Sequence, residues 1–172
     1  MRKISTAIGL LLLAAPASAM TIASGDFKDG GGLPMAHVYP RCGGQNVSPE
    51  LHWSGVPSGA RSLVLTMIDS DVKPNGWSHW IVVDLAPTST GIPHGASSLP
   101  EGAKAVASNF GDASYDGPCP PKGTGTHHYK FTLWAMPTAS TGLAPNAKAT
   151  DIELTLTRSA IAHASVTGSV TP

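Results

Sequence analysis

The sequence predicts a mostly β, single-domain protein, and three observations carry that expectation. Glycine and proline are abundant, at 19 and 15 residues, but they punctuate short apolar runs instead of gathering in low-complexity tracts. Those runs have the length of strands: Leu63 to Ile68, Ser78 to Leu85 and Tyr129 to Met136. The third also carries a period of two. His127, Tyr129, Phe131 and Leu133 fall on one face, and His128, Lys130, Thr132 and Trp134 on the other. The same period applied to the second run puts Trp77, His79, Ile81 and Val83 together.

The remaining elements follow in order. His52-Trp53 is expected on another strand and Lys104 to Ser108 on a further one. Turns fall at Pro57-Ser58-Gly59, Pro74-Asn75-Gly76, Thr90-Gly91 and across Gly117 to Gly125. Thr150-Asp151-Ile152-Glu153 has the form of a capping box, with Thr150 as the cap and Glu153 reaching back. A helix is therefore expected from about Asp151 to His163, followed by a short strand over Ser165 to Thr171. No internal repeat or linker divides the chain.

The N-terminus has the build of a signal peptide spanning residues 1–19. Arg2 and Lys3 precede the apolar stretch Ile8 to Ala15, and Ala17-Ser18-Ala19 supplies the small residues of a cleavage site near Ala19/Met20. The stretch is too short to span a bilayer, and no later run reaches that length, so no integral membrane segment is expected in the mature domain of residues 20–172. The expected location is periplasmic or secreted. Without Arg2 and Lys3 the chain has nine basic and eleven acidic residues. With no cluster of four or more Lys or Arg, nucleic acid is not an expected partner, and any anion must be recognised at a focused site. Cys42 and Cys119 are the only cysteines. An even count in an exported chain suggests a disulfide, against the alternative of two buried free thiols.

The motifs of common enzyme classes are absent: there is no GxSxG, HExxH, P-loop or GxGxxG. Asn46-Val47-Ser48 fits an N-glycosylation sequon, a pattern short enough to arise by chance. Three clusters carry chemistry. Asp69-Ser70-Asp71 ends one strand, Trp77-Ser78-His79-Trp80 enters the next, and Tyr115 to Tyr129 is a turn-rich loop that runs into a third. A histidine at the rim of a core can donate to an anion. Asp69 can hold an imidazole in one tautomer and leave its other nitrogen for a ligand. The Tyr129 hydroxyl and the N–H groups of the Gly/Pro loop can add donors. Taken singly, each residue also has a plain structural reading: His79 as a satisfied core histidine, Asp69 and Asp71 as turn-forming acids, and Trp53, Trp77, Trp80 and Trp134 as packing.

Taken together, the clusters resemble a known family. Asn46-Val47-Ser48-Pro49 with Trp53, Asp69-x-Asp71, Gly76-Trp77-Ser78-His79-Trp80, Gly117-Pro118-Cys119-Pro120-Pro121-Lys122-Gly123 and His127-His128-Tyr129-x-Phe131 occur in the order found in phosphatidylethanolamine-binding proteins. The similarity runs from about Phe27 to Val170 and is strongest to the bacterial, Raf-kinase-inhibitor-like branch. It implies two packed antiparallel sheets, a β-sandwich, with a C-terminal helix beside a small pocket. It also implies ligand-binding roles for Asp69, His79, Pro120, Pro121, His127 and Tyr129, with Asp71, Trp80, Tyr115 and Gly117 as secondary candidates. A Cys42–Cys119 bridge would then tie the N-terminal loop to the pocket wall. Three residues depart from the family pattern: Ser70 and Lys73 replace prolines of the acidic loop, and His128 replaces an arginine. The implied function is binding of a small anionic ligand, either phosphate, a phosphorylated head group or a carboxylate. The alternative is an inhibitor or modulator of a partner enzyme acting through a protein target, as relatives act on kinases and serine proteases. No catalytic residues, cofactor or metal ligands are assigned, and enzymatic activity is not expected.

Overall fold

The computed structural model describes residues 19–143 and 149–172, so the expected signal peptide, apart from Ala19, lies outside the described residues. Within them the chain is mostly β, with two antiparallel sheets and one C-terminal helix. The smaller sheet has the order β1-β2-β5, from Thr21–Ala23, Leu51–Ser54 and Gly91–Ile92. The larger has the order β6-β4-β3-β7-β8, from Lys104–Ala105, Trp77–Leu85, Ser62–Asp69, His127–Met136 and Ala162–Val170.

The sheets are held by one shared core. Alternation in β2 buries Leu51 and Trp53 and exposes His52 and Ser54, as expected of a sheet with one wet face. These two residues, with Ile22 and Ile92, pack against Leu65, Met67, Phe131 and Leu133 of the larger sheet. Each such fully buried side chain contributes roughly 1.5–3 kcal/mol. The outer face of the larger sheet has its own cluster. Val64, Ile81, Val83, Trp134 and Met136 are covered there by Ile152 and Leu156 of α1, Ala149–Ser159.

The helix and the last strand divide the C-terminal residues differently from the sequence expectation. The helix begins at Ala149 and ends at Ser159, and the Thr150 side chain lies outside the described residues. Beyond it, Ile161 N–H already bonds to the Ala135 carbonyl, and β8 pairs with β7 from Ala162 through Val170. Pairing with β7 from His127 through Ala135 overrides the helical preference of Ala160 and Ala162, as tertiary context routinely outweighs propensity.

A second departure shapes the pocket. Trp80 pairs with Met67 but Ser78 pairs with Ile68, so one residue, His79, is inserted without a partner. This is a β-bulge, and it breaks the period-two pattern. Trp80 and Val82 face the shared core while Ile81 and Val83 face the helix, and Trp77 lies opposite Asp69. His79 therefore does not share a face with Ile81 and Val83, as simple alternation predicts.

Candidate functional site

At the end of the larger sheet a cavity of about 390 Å³ opens between the strand ends and two loops. Asp69 closes β3, His79 is the bulge residue of β4, and His127 and Tyr129 begin β7. Pro120 and Pro121 form the opposite wall. The structure thus gathers all six primary candidates around one cavity.

Their hydrogen bonds assign different roles to the two histidines. His127 Nδ1 lies 2.6 Å from Asp69 Oδ2, and its Nε2 lies 2.8 Å from Thr124 Oγ1. Both of its nitrogens are engaged within the protein. Asp69 Oδ1 accepts the Asp71 N–H at 2.9 Å, which fixes the carboxylate from its other side. His79 is held differently: its Nδ1–H donates to the Asp116 carbonyl at 2.8 Å. Nε2 of His79 has no hydrogen-bond partner among the described residues, and the ring lines the cavity. Asp69 does orient an imidazole, but it is that of His127, and the open nitrogen belongs to the other histidine. Burial pushes the His79 imidazolium below its ordinary range, opposed by the Asp116 carbonyl and the Asp69 charge. Tyr129 is fully buried, and its hydroxyl is pushed well above the usual phenol range by burial and then by Asp69. It is a donor, not a phenolate.

The secondary candidates support the site from behind. Asp71 turns away and takes both the His128 N–H, at 2.7 Å, and His128 Nδ1, at 2.9 Å. The His128 ring holds the Asp71 carboxyl below its usual range. Trp80 packs edge-on against Tyr115, whose hydroxyl donates to the His37 carbonyl at 2.9 Å. Gly117 N–H donates to Asn46 Oδ1, and Asn46 Nδ2 to the Tyr115 carbonyl. Asn46 of the apparent sequon is thus committed to a structural clamp. A Cβ on Gly117 would stand 2.1 Å from the His37 carbonyl oxygen, so only glycine permits this approach. Of the departures from the family pattern, Lys73 folds back to donate to the Ser70 carbonyl, and Ser70 Oγ donates to the His128 carbonyl. Neither lines the cavity.

Sequence reasoning missed five wall residues: Tyr39, Arg41, Val72, Trp77 and Phe110. Arg41 matters most, because it is the only Lys or Arg among the lining residues. Its placement follows from the Cys42–Cys119 disulfide, which joins the loop carrying Arg41 to the proline wall with a Cα–Cα distance of 5.5 Å. The adjacency of Arg41 to a bridged cysteine was the available signal. Trp77 and Phe110 are exposed large side chains packed edge-to-face at 5.9 Å, and Tyr39 stacks on Phe110 at 6.0 Å. Together they form an aromatic rim.

Behind His79 lies a buried acid, Asp116, whose Oδ2 has no hydrogen-bond partner. Burial, with the Asp112 carboxyl beside it, pushes its acid up to about 7, while Ser108 opposes. An acid raised on folding costs stability progressively as pH rises from its unfolded value near 4 to its folded value, and the cost is constant above. Asp116→Asn keeps the backbone carbonyl that holds His79 and removes this cost. Denaturant titrations should show the variant more stable by about 1–3 kcal/mol at pH 8, with the difference vanishing below pH 4.

The pocket walled by strand-end acid, histidine and tyrosine residues lies on two packed antiparallel sheets, and comparison with known proteins gives the family. The sequence profile described as phosphatidylethanolamine-binding protein matches residues 23–171, and the chain belongs to that family. It is 37% identical over 172 residues to YbcL of Escherichia coli, covering 95% of this chain and 94% of that protein. The crystal structure of YbcL, described as a new member of the mammalian PEBP family, superposes with a TM-score of 0.81 at 36% identity, covering 88% of this chain and 98% of YbcL. A lipoprotein-named relative, LppC of Mycobacterium tuberculosis, is 42% identical over 135 residues, covering 78% of this chain and 64% of LppC.

Proposed function

We propose that this protein is exported, by cleavage near Ala19/Met20, and that its pocket binds a small phosphate-bearing or carboxylate ligand. The observation that carries this reading is the open Nε2 of His79, set in a cavity whose cationic wall residue is Arg41. Arg41 supplies permanent charge at the mouth, and Tyr129 and the proline loop complete the walls. The aromatic rim of Tyr39, Trp77 and Phe110 suits an ammonium group carried by the same ligand, as in phosphoethanolamine. Binding is favoured over catalysis because the lining contains no Ser or Thr, and its one cysteine, Cys119, is bridged. Among the described residues, no serine, threonine or free thiol lines the cavity beside a base. The relative named as a lipoprotein and the disulfide both suit an exported protein.

Because His79 donates through Nδ1 and is kept neutral by burial, Nε2 offers a lone pair. An anion that brings no proton is held there only when the ring takes one up. Affinity for sulfate should therefore rise as pH falls, by up to roughly tenfold per pH unit above the depressed value of His79. A histidine-resolved NMR titration with phosphoethanolamine and then sulfate is the test. Saturable shifts of His79, with binding at least tenfold weaker in His79→Ala, are expected. No response of His79 at millimolar ligand would sink the reading.

A second reading rests on the rim. Exposed Trp77 and Phe110 beside a buried anion site resemble an anchor surface for a protein partner, whose acidic side chain or C-terminal carboxylate would enter the pocket. The protein would then modulate a partner enzyme. A pull-down from the periplasmic or secreted fraction, repeated with Trp77→Ala, tests it: loss of a stoichiometric partner in the variant supports it.

A further inference from the structure

Away from the pocket, three residues distant in sequence converge behind the N-terminal loop. Asp26 follows β1, His37 ends the 3-10 turn Met35–His37, and His94 follows β5. One nitrogen of each imidazole and one oxygen of the carboxylate lie within 4.8 Å of one another. His94 Nδ1 stands 2.9 Å from Asp26 Oδ2, and His37 Nε2 stands 3.7 Å from the same oxygen. The two rings meet edge-on at 5.5 Å.

The tautomer of His37 is set by its surroundings. Its Nδ1 lies 2.8 Å from the Val47 carbonyl, which can only accept, so Nδ1 carries the proton and Nε2 presents a lone pair to Asp26 and His94. A ring 1% exposed, donating to a backbone carbonyl through one nitrogen and aiming the other at a carboxylate, is arranged as metal-ligating histidines are. Asp26 is supported in the same way: its Oδ2 also accepts the Glu50 N–H at 2.6 Å. Burial works against its ionisation, but the Glu50 N–H and the His94 ring hold the carboxyl below its usual range. His94 is half-exposed, so its ring can adjust and the cluster opens to solvent on that side.

We infer that Asp26, His37 and His94 form a binding site for one divalent transition cation of the zinc class. Two imidazoles and a carboxylate are the donor set such ions take. Tetrahedral coordination at about 2.1 Å sets donors roughly 3.4 Å apart, between the two donor–oxygen separations found here. The proton that His94 Nδ1 shares with Asp26 moves to its solvent-side Nε2 as the metal takes its place, so the bound site holds neutral imidazoles and one carboxylate. A fourth position faces water on the His94 side. None of the three residues lines the anion pocket, so the inference stands independently of the ligand proposed there.

The test is a titration of the untagged protein with Co²⁺, followed by its visible absorption, and with Zn²⁺, followed by thermal melting. One equivalent of Co²⁺ giving a tetrahedral spectrum is expected, with Zn²⁺ raising the melting temperature. His94→Ala removes a half-exposed ring whose bond to Asp26 is partly screened by solvent, so it should lower the metal-free melt only slightly while weakening metal affinity roughly hundredfold or more. His52→Ala, on the exposed face of β2, and His79→Ala, in the pocket, should bind as the parent does. The inference is overturned if His94→Ala binds as tightly as the parent, if His79→Ala abolishes binding, or if no metal binds at about 0.1 mM.

Discussion

Replacing Asp69 by alanine should cost about 3–5 kcal/mol of stability, because it strips a buried ring of its charged partner. Asp69 and His127 are both buried and meet at 2.6 Å, and Asp69 also caps the turn through the Asp71 N–H. The alanine leaves His127 Nδ1 and the Asp71 N–H without their protein acceptor. Asp69→Asn separates charge from geometry. Its amide oxygen can still accept one of the two bonds, so the loss should be smaller by about half. Urea unfolding at pH 7 measures both variants, and the low-field proton of the Asp69–His127 bond in NMR should be lost in the alanine. Equal stability of Asp69→Ala and the parent would mean that the pair contributes nothing to the folded state.

The double variant Cys42→Ser/Cys119→Ser should lose about 4 kcal/mol, the chain entropy restored by opening a loop of this length. The bridge joins residues 77 positions apart. It also sets Arg41 against the Pro120–Pro121 wall, so anion affinity should fall in the same variant even under conditions where it remains folded. Denaturation with and without reductant, followed by an anion titration at low denaturant, reads both effects. A variant that loses stability but binds sulfate as before would show that Arg41 is placed by other contacts.

Much of this architecture was legible in the chain, and the exceptions have physical causes. Strand β7 could be read face by face, since alternation needs only local sterics and one buried side: Tyr129, Phe131, Leu133 and Ala135 all enter the shared core. Strand β4 could not, because the inserted His79 shifts everything after it, and a bulge is decided by the partner strand. The imprint is visible in hindsight, since the core-facing Trp80 stands three residues from Trp77, the residue opposite Asp69. The end of the helix was misplaced for a similar reason, as nine residues of pairing with β7 outweigh local propensity. The six primary pocket residues came from the resemblance and its motifs. Of the five missed ones, Tyr39, Arg41, Val72 and Phe110 lie on turns or loops and Trp77 opens β4, and the disulfide and aromatic contacts that bring most of them together are recorded by no local pattern.

The stretch from His37 to Tyr39 is pinned on both sides. Tyr39 N–H bonds to the Pro118 carbonyl, the Val38 carbonyl receives the Asn46 N–H, and the His37 carbonyl receives the Tyr115 hydroxyl. Gly44 and Gly117 press so closely on it that a Cβ at either would overlap its carbonyls. This pinned stretch runs from His37 in the acid–imidazole cluster to Tyr39 in the pocket wall. Linkage then requires symmetry: if occupying the cluster changes the pocket's affinity by some factor, filling the pocket changes the cluster's affinity by the same factor.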